Sequence, residues 1–163
     1  MLFYENLLKE LEENKNKTLE LKKIEKFGLD SKKKIGGCGI AIPLIAIGLF
    51  QVYSYTVYHK WYLLILGMIF LGIGVKQCKN LFSYSIVVDT ENGNLKSDKL
   101  DLDFDNVETL KLKEMKLGKK VVPVIDMITL DRKQVIIPLY MNKQVRFISI
   151  LRKLLGTKFS IEK

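Results

Sequence analysis

Few residues in this chain have types and spacing that could do chemistry. Three acids alternate in Asp101-Leu102-Asp103-Phe104-Asp105, which invites a calcium-loop reading. An EF-hand loop needs Gly at its sixth position and Glu at its twelfth. Counted from Asp101, those positions hold Asn106 and Leu112, and the segment alternates like a half-buried strand. A solvated strand face is the better reading. The single histidine, His59, has no second imidazole to join it in metal ligation or proton transfer. Cys38 and Cys78 form no CxxC pair, so no zinc or dithiol motif exists, and a reducing cytoplasm disfavours a disulfide between them. No GxSxG, Walker, GxGxxG or HExxH pattern appears. The expectation is a non-enzyme, with no catalytic residue, cofactor, metal or small-molecule substrate. What remains is charge. Lys111, Lys113, Lys116, Lys119 and Lys120 crowd the stretch LKLKEMKLGKK around one turn. Scattered lysines ordinarily solubilise a sheet edge.

The element that dominates the chain carries almost no charge. Ile35 to Val57 is one apolar run and Trp61 to Val75 is another, separated by Tyr58-His59-Lys60. A bilayer core about 30 Å thick takes roughly 20 apolar helical residues to cross. The first run meets that length alone, and the second needs its flanks or a locally thin bilayer. The pair reads as a transmembrane helical hairpin, with spans of about 35–57 and 61–78. Lys32-Lys33-Lys34 precede it, and Lys76 and Lys79 follow it. The positive-inside rule therefore puts both termini in the cytoplasm and the turn outside. Tyr53, Tyr55, Tyr58, Trp61 and Tyr62 cluster at that turn, where amphipathic rings suit the headgroup layer. No Asp, Glu, Lys or Arg lies within either run, which argues against an ion or proton path. Small residues (Gly36, Gly37, Gly39, Ala41, Ala46 and Gly48, then Gly67, Gly72 and Gly74) allow close packing of the two helices, or of two copies of the chain.

The flanks are charged. Lys and Arg exceed Asp and Glu by nine over 163 residues, yet the only arginines are Arg132, Arg146 and Arg152. Nucleic-acid readers lean on Arg for base edges and minor grooves, so a Lys-rich balance fits an anionic membrane leaflet better than DNA. Abundant Lys and Ile with little Arg also point to an AT-rich bacterial genome. Residues 2–27 carry Leu7, Leu8, Leu11, Leu21, Ile24 and Phe27 at broadly helical spacing, with Gly28 as a stop. They are expected to form one helix or two, or a helix and a short strand at Thr18 to Lys22. Beyond the hairpin, Tyr84 to Asp89, Leu100 to Phe104, Val107 to Lys113, Val121 to Leu130 and Gln134 to Leu139 read as strands. Asn92-Gly93 and Leu117-Gly118-Lys119 mark turns, and Pro138 suits an edge strand. Asn142 is the expected cap of a last helix, KQVRFISILRKLLG, in which Val145, Ile148, Leu151 and Leu155 share one face.

Five or six antiparallel strands and one closing helix, behind a membrane hairpin, resemble the bacterial pleckstrin-homology-like membrane proteins. The residues that carry the likeness are Phe104 to Leu110, the strand ending at Leu130, Ile136-Ile137-Pro138-Leu139 and the FISILRKLLG helix. The pattern is not specific to one activity. It implies an α+β membrane protein: a transmembrane helical hairpin, then a small antiparallel domain (a bent sheet or partial barrel of about seven strands) capped by a C-terminal helix. The expected order is a cytoplasmic helical segment at 1–30, the hairpin at 31–81, and the β domain at 82–163 with its helix near 142–155. A first strand drawn from Thr18 to Lys22 makes up the strand count. The resemblance further implies that Lys111, Lys113, Lys116, Lys119 and Lys120 are candidate anionic-lipid contacts, each contributing on the order of 1 kcal/mol beside an anionic surface. The expected role is a membrane-anchored scaffold or interaction module of the bacterial cytoplasmic membrane. Its partners would be the lipid bilayer and a second copy or another membrane protein, with no nucleic acid. An accessory subunit of a larger transport or export complex is the alternative, and anionic-lipid sensing a third.

Overall fold

The computed structural model describes residues 2–14, 19–98 and 100–162. The elements run α1 (Leu2–Glu13), β1 (Ile24–Gly28), α2 (Ser31–Tyr58), α3 (Trp61–Ser83), β2 (Ser85–Asp89), β3 (Asn94–Ser97), β4 (Leu100–Asp103), β5 (Val107–Leu117), β6 (Lys120–Thr129), β7 (Gln134–Pro138), α4 (Gln144–Leu155) and β8 (Phe159–Ile161). They form two compact units, and one is nested in the other along the chain. The inner unit, Leu29–Tyr84, is α2 with α3. The outer unit takes the chain up to Gly28 together with Ser85 onward. The residues before the hairpin are therefore not a separate segment, as the sequence order suggested.

In the inner unit, α2 has 28 residues and α3 has 23. At 1.5 Å per residue these are about 42 and 35 Å long. Their apolar windows have mean hydropathies of 2.0 and 1.6, so both helices are long and apolar enough to cross a membrane. The second run reaches that length because the helix continues past Val75 through Lys76 to Ser83. The break between them is two residues. His59 adopts a left-handed φ of 57°, and its N–H bonds Tyr55 O at 2.8 Å. α2 runs unbroken through Pro43.

Glycine sets the seam between the helices. A Cβ on Gly67 would stand 2.9 Å from Gly48 O, and one on Gly48 would stand 2.9 Å from Leu71 N. The backbones touch there, and no side chain fits between them. Gly74 meets Ala41 O in the same way, at 3.2 Å. Gly36, Gly39 and Gly72 have nothing within 4 Å of the corresponding position. The small residues thus divide into a packed set and an open set.

The outer unit has two four-stranded sheets, in the orders β1-β2-β3-β4 and β7-β6-β5-β8. The eight strands exceed the five that the sequence pattern names by β1, β3 and β8. β1 lies at Ile24–Gly28, a stretch whose apolar spacing had read as the end of a helix, while residues 19–22 form no strand and Thr18 lies outside the described residues. β1 pairs antiparallel with β2, from Ile24↔Asp89 to Gly28↔Ser85. That non-local pairing overrides the weak helical pattern, because it buries Phe27 fully while leaving Ile24 in water. β8 follows α4 and pairs parallel with β5, Leu110↔Phe159 to Leu112↔Ile161.

The core lies between the sheets and α4. Phe27, Ile86, Val88, Leu95 and Leu102 come from the first sheet, and Leu110, Leu112, Ile125, Met127 and Ile137 from the second, all buried. Phe147, Ile148, Ile150, Leu151 and Leu155 of α4 are buried too, and Phe147 meets Phe27 edge-on at 5.1 Å between ring centres. α1 packs on α4 and buries Tyr4, Leu7 and Leu11, spaced three and four residues apart. The Tyr4 hydroxyl donates to Leu112 O at 3.1 Å and Glu162 O at 2.7 Å, tying α1 to β5 and to the chain just after β8. Burial, with Glu114 and Glu162 nearby, raises the Tyr4 pKa. Asn142 is not the cap of α4. That position is Lys143, at a φ of 52°, and the Asn142 N–H is spent on Gly28 O at 2.8 Å.

Candidate functional site

The five lysines lie on the β5–β6 hairpin, which turns at Gly118 with φ +64°. The hairpin outruns its sheet. β8 pairs β5 only at Leu110 to Leu112, and β7 pairs β6 only from Val124 onward. Residues 114–123 have no ladder partner beyond the hairpin itself, through Glu114↔Pro123, Met115↔Val122, Lys116↔Val121 and Leu117↔Lys120, and Pro123 O takes the Leu139 N–H at 3.0 Å. They form a two-stranded ribbon about 10 Å long from Glu114 to Leu117 at 3.3 Å per residue, half-buried at Glu114, Met115, Leu117 and Val122. Lys116, Lys119 and Lys120 are exposed on it and carry no ion pair among the described residues. Val121 is 58% exposed beside them. From Met115 to Val122 the ribbon has three lysines and no acid.

The five lysines do not act as one set. Lys113 Nζ stands 2.5 Å from Asp126 Oδ2 at the ribbon's root. The Gln134 amide donates to both oxygens of the same carboxylate, at 2.8 and 3.0 Å. The result is a polar strut across β5, β6 and β7. Burial pushes the Asp126 carboxyl up, but Lys113 and Gln134, with Lys111 nearby, outweigh it and hold it below the usual carboxylate range. The bond to Asp126 raises the Lys113 pKa. Lys111 is the cross-strand partner of Asp126 by register, yet the diagonal Lys113 makes the contact. Lys113 is thus committed inside the module, and the exposed lysines are Lys111, Lys116, Lys119 and Lys120, the last three at the hairpin's end.

Sequence reasoning passed over a second charged contact. Glu25 of β1 points inward beside Phe27, and Arg146 of α4 grips it with Nη2 and with Nε, the latter at 3.3 Å. Arg146 Nη2 also donates to Glu20 O at 3.1 Å, and Lys153 Nζ to Leu19 O at 3.2 Å. The stretch before β1 is thereby fastened along α4. The Arg146 guanidinium holds the Glu25 carboxyl below its usual range against the upward push of burial. The available signal was a charge in phase with buried positions: Glu25 alternates with Phe27, and Asp126 interrupts the apolar VVPVIDMIT.

The remaining candidates form no catalytic or metal-binding geometry among the described residues. Asp101 and Asp103 lie on β4, with Asp103 accepting the Asp105 N–H at 3.0 Å in a local turn. No group of three or more His, Cys, Asp and Glu that could hold a metal ion occurs among the described residues. His59 tilts against Tyr55 at 6.5 Å in the α2–α3 turn. Cys38 and Cys78 are free thiols on α2 and α3. The fold defines an α+β chain with two long apolar helices and two sheets that are antiparallel apart from the β5–β8 pair. No family model, curated protein or solved structure matches it.

Proposed function

We propose that this chain is a membrane-anchored interaction module of a bacterial cytoplasmic membrane, with α2 and α3 as a transmembrane hairpin and a pleckstrin-homology-like module on the cytoplasmic side. The observation that carries the reading is the point of insertion. The apolar hairpin interrupts the chain between two strands that pair directly, Gly28↔Ser85. Only Leu29-Asp30 and Tyr84 link it to them. The hairpin is thus inserted within the module's chain rather than appended at one end of it. Seven antiparallel strands in two sheets, followed by an amphipathic helix, support the pleckstrin-homology-like reading, with β8 as an addition. Lys32, Lys33 and Lys34 at the start of α2, and Lys76 and Lys79 near the end of α3, support cytoplasmic termini. The two buried charged contacts are each satisfied within the fold, which favours a scaffold over a catalyst.

Two measurements test this. Reporter fusions should be active on the outer side only at His59-Lys60; an outward C-terminal reporter overturns the topology. Native mass measurement after mild-detergent extraction should find the chain with a second copy or another membrane protein. A lone monomer under every extraction condition overturns the interaction role.

A further inference from the structure

We infer that Cys38 and Cys78 form a dithiol across the α2–α3 seam that closes to a reversible disulfide when the cytoplasm turns oxidising. The pairing is read from the inner unit alone, and the oxidant rests on the cytoplasmic orientation proposed above. On α3, Gly74, Cys78 and Leu81 follow one another at spacings of four and three residues, so they lie on one stripe of the helix. Both neighbours of Cys78 on that stripe meet α2. A Cβ on Gly74 would stand 3.2 Å from Ala41 O, and the Leu81 side chain lies 2.5 Å from the Cβ position of Gly37. Cys78 therefore faces α2 between two close contacts. On α2, Cys38 falls inside the same bracket, one residue after Gly37 and three before Ala41. It flanks the seam, about 60° round the helix from Ala41. Both thiols are free and half-buried.

The contacts of Gly74 and Gly37 set Cys38 within about two residues of Cys78 along the seam, roughly 3 Å of helix rise. With axes about 8 Å apart and Cα atoms on a radius of about 2.3 Å, the two Cα atoms come to about 5–6 Å. A disulfide needs about 4.4–6.8 Å. Cys78 also lies beyond the apolar run, in Lys76-Gln77-Cys78-Lys79-Asn80, whose other four residues are exposed. A water-borne oxidant reaches it there. That oxidant is a low-molecular-weight disulfide, RSSR. The Cys78 thiolate attacks one sulfur of RSSR, forms a mixed disulfide and expels RS⁻. The Cys38 thiolate then attacks the Cys78 sulfur and expels the second RS⁻. Two protein thiols and RSSR become one protein disulfide and two RSH, and excess RSH reverses both steps. A reducing cytoplasm keeps the pair as thiols. The bond ties α2 to α3 at the open end of the hairpin, the end whose chain continues into β1 and β2.

The test is oxidation of the full-length chain in mild detergent, followed by intact mass. Excess oxidised glutathione should lower the mass by about 2 Da, and dithiothreitol should restore it. C38S and C78S should each stop at a single glutathione adduct. The variant C38S/G36C moves the thiol to a position with nothing within 4 Å, so it should close at least about tenfold more slowly than the parent. A parent that ends with two glutathione adducts, or with disulfides only between chains, overturns the proposal. Equal closure of the parent and C38S/G36C overturns it too, because the bond would then report mobility rather than placement. In cells, a membrane-impermeant maleimide should label the thiols in inverted vesicles and not in intact cells. Labelling of intact cells overturns the cytoplasmic oxidant together with the proposed topology, whereas failure to close in the purified chain overturns the pair and leaves the topology untouched.

Discussion

Replacing Arg146 with methionine strands a buried acid, and the structure sets both the size of the effect and its pH dependence. The Glu25 side chain is 9% exposed, and that of Arg146 is 34% exposed. Without the guanidinium, one long contact to the carboxylate remains among the described residues, from the Lys22 N–H at 3.4 Å. Stranding a buried carboxylate in this way costs about 3–5 kcal/mol. Proton uptake caps the cost. A carboxyl with an unfolded-state pKa of about 4.3 loses at most about 1.36 × (7 − 4.3), or roughly 3.7 kcal/mol, by protonating at pH 7. At pH 5 the same limit is about 1 kcal/mol. R146M should therefore be about 3–4 kcal/mol less stable than the parent at pH 7 and recover most of that deficit by pH 5. The parent should change little over this window, because Arg146 depresses its Glu25 pKa and the group stays ionised in both states. Glu25→Gln should behave differently. The guanidinium retains Glu20 O and water, so the cost is about 1 kcal/mol with no such pH dependence. Hydrogen exchange of the β1 amides, corrected for intrinsic rates, measures the opening free energy in detergent-solubilised full-length chain. Equal costs for R146M and E25Q, or an R146M deficit unchanged between pH 7 and pH 5, would refute the argument.

Two further outcomes are expected, one from the buried carboxylates and one from the seam between the helices. Glu25 and Asp126 both have folded-state pKa values depressed below their unfolded ones. Their stabilisation is complete above the unfolded values, near pH 4, and is lost as pH falls through the lower folded values. Acid unfolding of the module should thus begin below about pH 4, and D126N should flatten that limb in a denaturation series. Within the hairpin, Gly67→Leu should force α2 and α3 apart at a cost of about 1–3 kcal/mol, whereas Gly72→Leu should leave their packing intact. Cysteine pairs cross-linked across the seam distinguish the two variants, and similar losses in both would contradict the seam assignment.

The sequence alone determined the two apolar helices, the hairpin turn at Gly118 and the amphipathic face of α4, because hydropathy, turn chemistry and helical period are local properties. It also showed that the lysines of LKLKEMKLGKK gather on one turn. Tertiary structure decided everything that needs a distant partner. β1 could be assigned only once β2 offered it a ladder across the inserted hairpin, since Ile24 and Phe27 fit a helix equally well by spacing. Glu25 and Arg146 lie 121 residues apart, so no pattern links them. Strand register sets Asp126 opposite Lys111, yet the diagonal Lys113 makes the contact. That one contact divides the basic cluster into a structural lysine and an outward group, a distinction that depends on side-chain direction and neighbouring strands rather than on residue type.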